Sequence, residues 1–307
     1  MTPLDAIEAP STAQWDLSEY LNSRRELIDR ELERALTRQY PETIFESMQY
    51  SLLSAGKRLR STLCIAGCEL IGGSQDIALP TACALEMLHT ATLIHDDLPA
   101  MDDDDFRRGK ASNHKVFGEA IAVLTGDALL SYALEFILLH TKGVPADRLL
   151  RVLQTLIHAV GVAGLVGGQV VDIESEGRDD VGLTTLEFIH SRKTASLIVA
   201  AVITGSVLAG ADEDTVERLS RYAEKVGLAF QIVDDVLDVT ATQEQLGKTP
   251  HKDEMARKAS FPRLLGVDES MRRAHELIDA AKQELARFGE PAVPLLAMAD
   301  YIGTRTS

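Results

Sequence analysis

The chain has 307 residues, 45% hydrophobic and 25% charged, the proportions of an ordinary globular protein and enough for one large domain or two ordinary ones. A net charge of −16 excludes a nucleic-acid-binding surface, which needs the opposite sign. Three cysteines, Cys64, Cys68 and Cys83, form neither a disulfide framework nor a zinc site, and are expected as small core residues in a reducing, cytoplasmic compartment.

The opening stretch, residues 1–15, lacks the basic start and apolar centre of a signal peptide and is expected to be a flexible segment. From Asp16 onward the chain reads as helix. Amphipathic spacing with i,i+4 charge pairs predicts a helix over Asp16–Tyr40, closed by Pro41. Thr43–Leu53 and Leu59–Ile71 follow, the latter stopped by Gly72-Gly73, and then an apolar helix over Pro80–Leu98. Ala120–His140, Ala146–Val160, Thr184–Gly210, Glu213–Thr240 and Glu269–Phe288 fit the same template. Strand signals are nearly absent and no Pro/Ser/Gly linker divides the chain, so residues 16–307 are read as one all-α domain. Its longest apolar run, Ala195–Gly210, falls short of the ~20 residues of a membrane span and is expected as a buried central helix.

Chemistry concentrates in LIHDDLPAMDDDDFRRGK, Leu93–Lys110. Six aspartates stand there within ten positions, followed by Arg107 and Arg108. Crowded carboxylates repel one another unless a cation lies between them, and a divalent metal with hard oxygen ligands is the natural one. On an unbroken helix Asp96 and Asp102 would be about 240° out of phase. Pro99 breaks the helix between them, so the chain can turn Asp102 back toward Asp96. His89, Thr92 and Asp96 share one helix edge. A second cluster lies in FQIVDDVLDV, where Asp234 and Asp238 stack at i,i+4 and Gln231 lies one turn earlier on that side. Its apolar setting makes unpaired carboxylates costly, which favours metal binding over a solvated face. Four cationic stretches, AGKRLR, FRRGK, SRKTAS and GKTPHKDEMARKAS, complete the inventory. Two aspartate clusters ringed by lysine and arginine describe a site for at least one metal-bound diphosphate.

From about Tyr50 to the end the chain resembles the trans-isoprenyl diphosphate synthases, with a pattern like those of bacterial and cyanobacterial geranylgeranyl or farnesyl diphosphate synthases. The resemblance is carried in order by GKRLR (Gly56–Arg60), HTATLIHDDLPAMDDDDFRRG (His89–Gly109), GGQVVDIESEG (Gly167–Gly177), RKTASL (Arg192–Leu197), FQIVDDVLD (Phe230–Asp238) and the lysine-rich GKTPHKD and KASFP. It implies a large helical bundle around a central cavity. It also implies a homodimer and condensation of isopentenyl diphosphate with an allylic diphosphate. By that resemblance Asp96, Asp97, Asp102, Asp234, Asp235 and Asp238 ligate magnesium, three ions with the allylic diphosphate, and with Lys193 form the catalytic set. Lys57, Arg60, His89 and Arg108 would hold the isopentenyl diphosphate. Arg107, Lys193, Thr194, Gln231, Lys248 and Lys258 would hold the allylic one. In the family, bulk just before the first aspartates stops the growing chain. Ala91 and Thr92 offer none here, and Leu88 and Met87 lie one turn deeper, which favours a twenty-carbon over a fifteen-carbon product. The sequence departs from the family at Ser61, where proline is common, at His251, where glycine is common, and at Ser260-Phe261, where Thr-Tyr is common. A terpene cyclase would carry a different second motif and would not need Lys57, Arg60 and Arg108. A silent regulatory subunit need not retain all six aspartates. A calcium-binding helical protein explains none of the cations.

Overall fold

Apolar residues recur at helical spacing along nearly the whole chain, and the backbone answers with helices. The computed structural model describes residues 15–240 and 259–305. Its helices are α1 (Leu17–Ala35), α2 (Glu42–Leu52), α3 (Leu59–Leu70), α4 (Gln75–Asp96), α5 (Asn113–Phe117), α6 (Glu119–His140), α7 (Ala146–Val160), α8 (Leu165–Ser175) and α9 (Leu183–Ile189). A π-helical segment, His190–Ala195, leads into α10 (Ser196–Ala209), followed by α11 (Glu213–Thr240), α12 (Phe261–Leu265), α13 (Val267–Leu285) and α14 (Val293–Thr304). Among the described residues the only strands are the two-residue pair Phe106–Arg107 and Lys110–Ala111, an antiparallel turn beside the first aspartate cluster.

α3 and α10 cross at the centre, as their all-round apolar sequences require, and both are buried along most of their length. Their backbones nearly touch: a Cβ added at Gly205 would stand 1.9 Å from the Cys64 carbonyl oxygen. The three cysteines are free and buried as expected, and desolvation pushes the Cys68 thiol up to about 12.

Several boundaries differ from the periodicity. α1 ends at Ala35 rather than Tyr40, with Leu36 already leaving helical backbone at φ −103° and ψ 64°. α4 begins at Gln75, upstream of Pro80, so the proline lies in the helix interior instead of opening it. The expected single helix over Thr184–Gly210 is interrupted by the π segment. α8 went unread because Gly164, Gly167 and Gly168 weaken its local propensity.

The expectation that no segment is long enough to span a membrane needs correction. By length and composition four stretches qualify: Gln75–Asp96, Glu119–His140, Ala146–Ser175 and Leu183–Ala209. Runs of apolar residues separated by small or polar ones reach the threshold that one uninterrupted run does not. The first and last are 72% and 61% buried inside the fold, so their apolar faces are occupied by the core. The middle two are 39% and 22% buried, and leave Leu124, Leu138, Leu139, Leu150 and Ile157 facing outward.

Gly205→Ala should force α3 and α10 apart and destabilise the fold by about 1–3 kcal/mol. Urea denaturation would show a lowered midpoint; an unchanged midpoint would mean that the crossing tolerates a methyl group.

Candidate active site

The turn after Pro99 does what the spacing requires. α4 stops at Asp96, and the Asp102 amide donates to the Asp96 carbonyl at 2.9 Å. The Asp103 and Asp104 amides return to Leu98 and Asp97 at 3.1 and 3.2 Å. Asp103 and Arg108 take left-handed backbone, φ 48° and 52°, which tightens the loop between them.

The six aspartates meet different fates. Asp96 is recessed, and desolvation pushes its carboxyl up to about 6, with Asp102 and Asp97 adding to the rise and the Lys193 charge opposing it. Asp97 is buried and bound by Arg107, whose Nε and Nη2 donate at 2.9 and 2.5 Å. Arg107 also reaches Asp104 at 3.0 Å. On the facing helix, Asp234 holds Arg305 at 2.5 Å. Asp235 points inward, accepting from the Phe261 amide at 3.0 Å, with His190 Nε2 also at 3.0 Å and Gln231 Nε2 at 3.4 Å. Asp238 lies one turn beyond Asp234 on α11.

Asp97, Asp234 and Asp235 are therefore each bound by protein groups, while Asp96 is recessed beside Asp102 and feels the Lys193 charge. Among the described residues no three His, Cys, Asp or Glu side chains group closely enough to hold a metal ion by themselves. That suits magnesium, which commonly takes one or two carboxylates and completes its shell with water and substrate phosphate. Asp96, with Asp102 beside it, and the carboxylates of α11 are the oxygen donors such an ion needs.

Lys193 lies on the π segment and donates to Asp172 of α8 at 2.7 Å. α8 approaches so closely that a Cβ at Gly168 would stand 2.3 Å from the Lys193 amide nitrogen. Thr194 follows it, half-buried, and Gln169 is buried with a carbonyl oxygen that has no partner. Asp172 and Gln169 belong to a segment that the sequence singles out without assigning roles. The structure makes Asp172 the group that aims Lys193.

A second cationic group gathers around α3. Arg60 Nη1 stands 3.3 Å from His89 Nε2. The Arg108 guanidinium lies beside Gly56, where a Cβ would be 3.1 Å from it. Burial lowers the pKa of His89 far below its ordinary value, and Arg60 and Arg108 lower it further, so the imidazole is neutral. Burial also lowers both arginines, and Arg108 depresses Arg60 further. Like cations pressed together in a recess are a receptor for an anion. Lys57 sits exposed at the mouth.

What fixes this loop is Arg58, which composition alone does not distinguish from its cationic neighbours. It is buried, in left-handed backbone with φ 50°, and its guanidinium bonds Asp29, Glu86 and the Leu52 and Ser54 carbonyls at 2.8, 3.1, 2.9 and 3.3 Å. Ser61, in place of the family's proline, donates to Glu86 and to the Ala82 carbonyl at 2.8 and 2.7 Å. The serine thus ties the loop to α4 by hydrogen bonds.

Below the aspartates, Ala91, Leu88 and Met87 are fully buried and Thr92 is half-buried, its hydroxyl donating to the His89 carbonyl at 2.8 Å. Lys248, Lys258 and His251 lie outside the described residues, as do residues 1–14.

Residues 41–290 match the family model described as polyprenyl synthetase. A dimethylallyltranstransferase of Fischerella ambigua (strain UTEX 1903) is 61% identical over 96% of this chain and 85% of its own. A geranylgeranyl diphosphate synthase of Cyanophora paradoxa is 50% identical over 97% and 99%. The crystal structure of an FPP/GFPP synthase from Zymomonas mobilis superposes with a TM-score of 0.84 at 34% identity, covering 96% of this chain and 100% of that one.

Asp96 generates a stability prediction. A carboxyl whose folded pKa is raised binds an extra proton when folded, so its contribution to stability falls as pH climbs from about 4 to about 6 and stays lost above. Asp96→Asn should therefore stabilise the metal-free protein by about 2 kcal/mol at neutral pH, and by little at acid pH. Denaturation in chelator at both pH values measures this; equal shifts at both would contradict it.

Proposed function

The chain belongs to the polyprenyl synthetase family, and on that premise we propose that it is a short-chain prenyltransferase joining isopentenyl diphosphate to an allylic diphosphate, with geranylgeranyl diphosphate as product. The observation that carries this reading is the nearness of two unlike groups, since the Asp234 charge acts on Arg60 and the Lys193 charge on Asp96. One is carboxylate-rich, from Asp96, Asp102, Asp234 and Asp238. The other is cation-rich, from Arg60, His89 and Arg108.

Magnesium, when bound, supplies positive charge that draws electrons from the allylic diphosphate as its carbon–oxygen bond ionises. Asp96, Asp102, Asp234 and Asp238 would hold it. Lys193, aimed by Asp172, would stabilise the negative charge that develops on the departing diphosphate. Arg107, shared between Asp97 and Asp104, would hold the first motif's loop in place and offer its remaining donor face to the same anion. Arg60 and Arg108, with Lys57 at the mouth and neutral His89 as a hydrogen-bond donor, would fix the isopentenyl diphosphate. The departing diphosphate is the proposed acceptor of the proton lost when the new bond is made.

Product length follows from the wall beneath Asp96. Ala91 and Thr92 present little bulk, so a tail can pass them toward Leu88 and Met87. Likeness to the geranylgeranyl diphosphate synthase of Cyanophora paradoxa favours the same product. The outward apolar side chains of α6 and α7 fit a second copy of the chain, and we assign the homodimer contact to that face.

Incubation with isopentenyl diphosphate and each allylic primer should give a twenty-carbon diphosphate by mass spectrometry, abolished by chelator and restored by magnesium. Asp96→Asn should lower turnover by orders of magnitude without lowering the melting temperature, and near-normal turnover would refute the carboxylate assignment. Ala91→Phe should shorten the product; an unchanged length would place the floor elsewhere. Leu138→Glu should convert the dimer to monomer in light scattering, whereas a monomeric wild type would leave that face to another partner.

A further inference from the structure

The second aspartate motif already carries a cation, and it comes from the far end of the chain. Arg305 follows directly after α14 in extended backbone, φ −62° and ψ 147°. Its side chain folds back over α11, with the guanidinium carbon 3.8 Å from the centre of the Phe230 ring. Nη2 donates to the Phe230 carbonyl at 3.0 Å and to Asp234 Oδ1 at 2.5 Å. The Arg305 side chain is only 6% exposed, whereas Asp234 is 40% exposed, so the carboxylate has one face on the arginine and another open to solvent. The guanidinium is not fully satisfied, because its Nε is buried with no partner.

This arrangement resolves one problem and creates another. Asp234, Asp235 and Asp238 lie within five positions of one helix. Their mutual repulsion is relieved at Asp235 by His190 and the Phe261 amide, and at Asp234 by Arg305. A divalent ion approaching Asp234 meets a carboxylate whose charge is already answered, and a guanidinium a hydrogen-bond length behind it. Like charges at that separation in a half-buried site oppose each other.

We propose that Arg305 is the resident counter-cation of Asp234, and that a divalent ion gains the second aspartate motif by displacing it. The proposal rests on the reading of Asp234 as a metal ligand. It places Arg305 among the residues that set metal affinity, although it is remote in sequence from both aspartate motifs.

The test is calorimetric titration of the full chain with magnesium in the presence of inorganic pyrophosphate, which needs no turnover. Arg305→Gln should bind magnesium about fivefold more tightly than the wild type, the scale of one partly exposed ion pair. Arg305→Lys, which keeps the charge, should stay near the wild type. Unchanged or weaker magnesium binding by Arg305→Gln overturns the proposal; weaker binding would make the arginine a support for Asp234 instead of its competitor. Binding by neither protein also overturns it. The product assay separates this from the catalytic reading. Metal-dependent prenyl transfer with no shift in magnesium affinity would sink the role of Arg305 alone. A shift in affinity without prenyl transfer would sink the catalytic reading alone.

Discussion

A carboxylate withdrawn from water has to be answered by a positive group, and the arrangement of this cavity follows from that constraint. Asp97 is answered by Arg107, Asp235 by His190 and an amide, Asp172 by Lys193 and Asp234 by Arg305. Each pairing fixes a loop or helix end as well as a charge. Arg107 holds the turn that brings Asp102 over Asp96. Asp235 ties α11 to the π segment and to the start of α12. Asp96 has no such pairing, and burial raises its carboxyl pKa against the opposing charge of Lys193.

The cationic side is built on a different principle. Arg60, Arg108 and His89 are pressed together with the Glu86 charge acting on both arginines, and they stand on rigid ground. Arg58 and Glu86 supply that rigidity as a buried ion pair, nearly closed to solvent on both partners. Breaking such a pair costs about 3–5 kcal/mol because the remaining charge has nowhere to go. The loop that presents Lys57 and Arg60 is anchored by Arg58, whose guanidinium is turned into the protein.

Helix content and the two aspartate clusters were legible from spacing, because amphipathic periodicity and paired carboxylates are local signals. The consequence of Pro99 was legible too: one proline between Asp96 and Asp102 fixes the direction of the turn. Other features were closed to the sequence for physical reasons. Asp96 and Asp97 are adjacent and chemically identical, and only the fold decides that one lies near Lys193 and the other binds Arg107. Arg58 and Arg60 differ likewise by which side of α3 they leave. α8 was hidden by its glycines, whose value lies in close approach to Lys193, a tertiary matter. Arg305 was hidden by distance along the chain, since nothing near it marks a site. Ser61 looked like a loss relative to proline, and its two hydrogen bonds show an alternative way to secure the same corner.

The π-helical segment carries a consequence for how this chain can vary. A π turn holds one residue more than the α turn that would replace it, and such turns are less favourable than regular helix. Removing any single residue from His190–Ala195 would let α9 run straight into α10 as one regular helix. By local criteria that chain is improved. Yet the deletion would shift part of the segment by about 100° around the axis, and Lys193 and Asp172 could not both keep their places. The irregularity thus acts as a phase marker between two helices, and deletions that heal the backbone are the ones this fold can least accept.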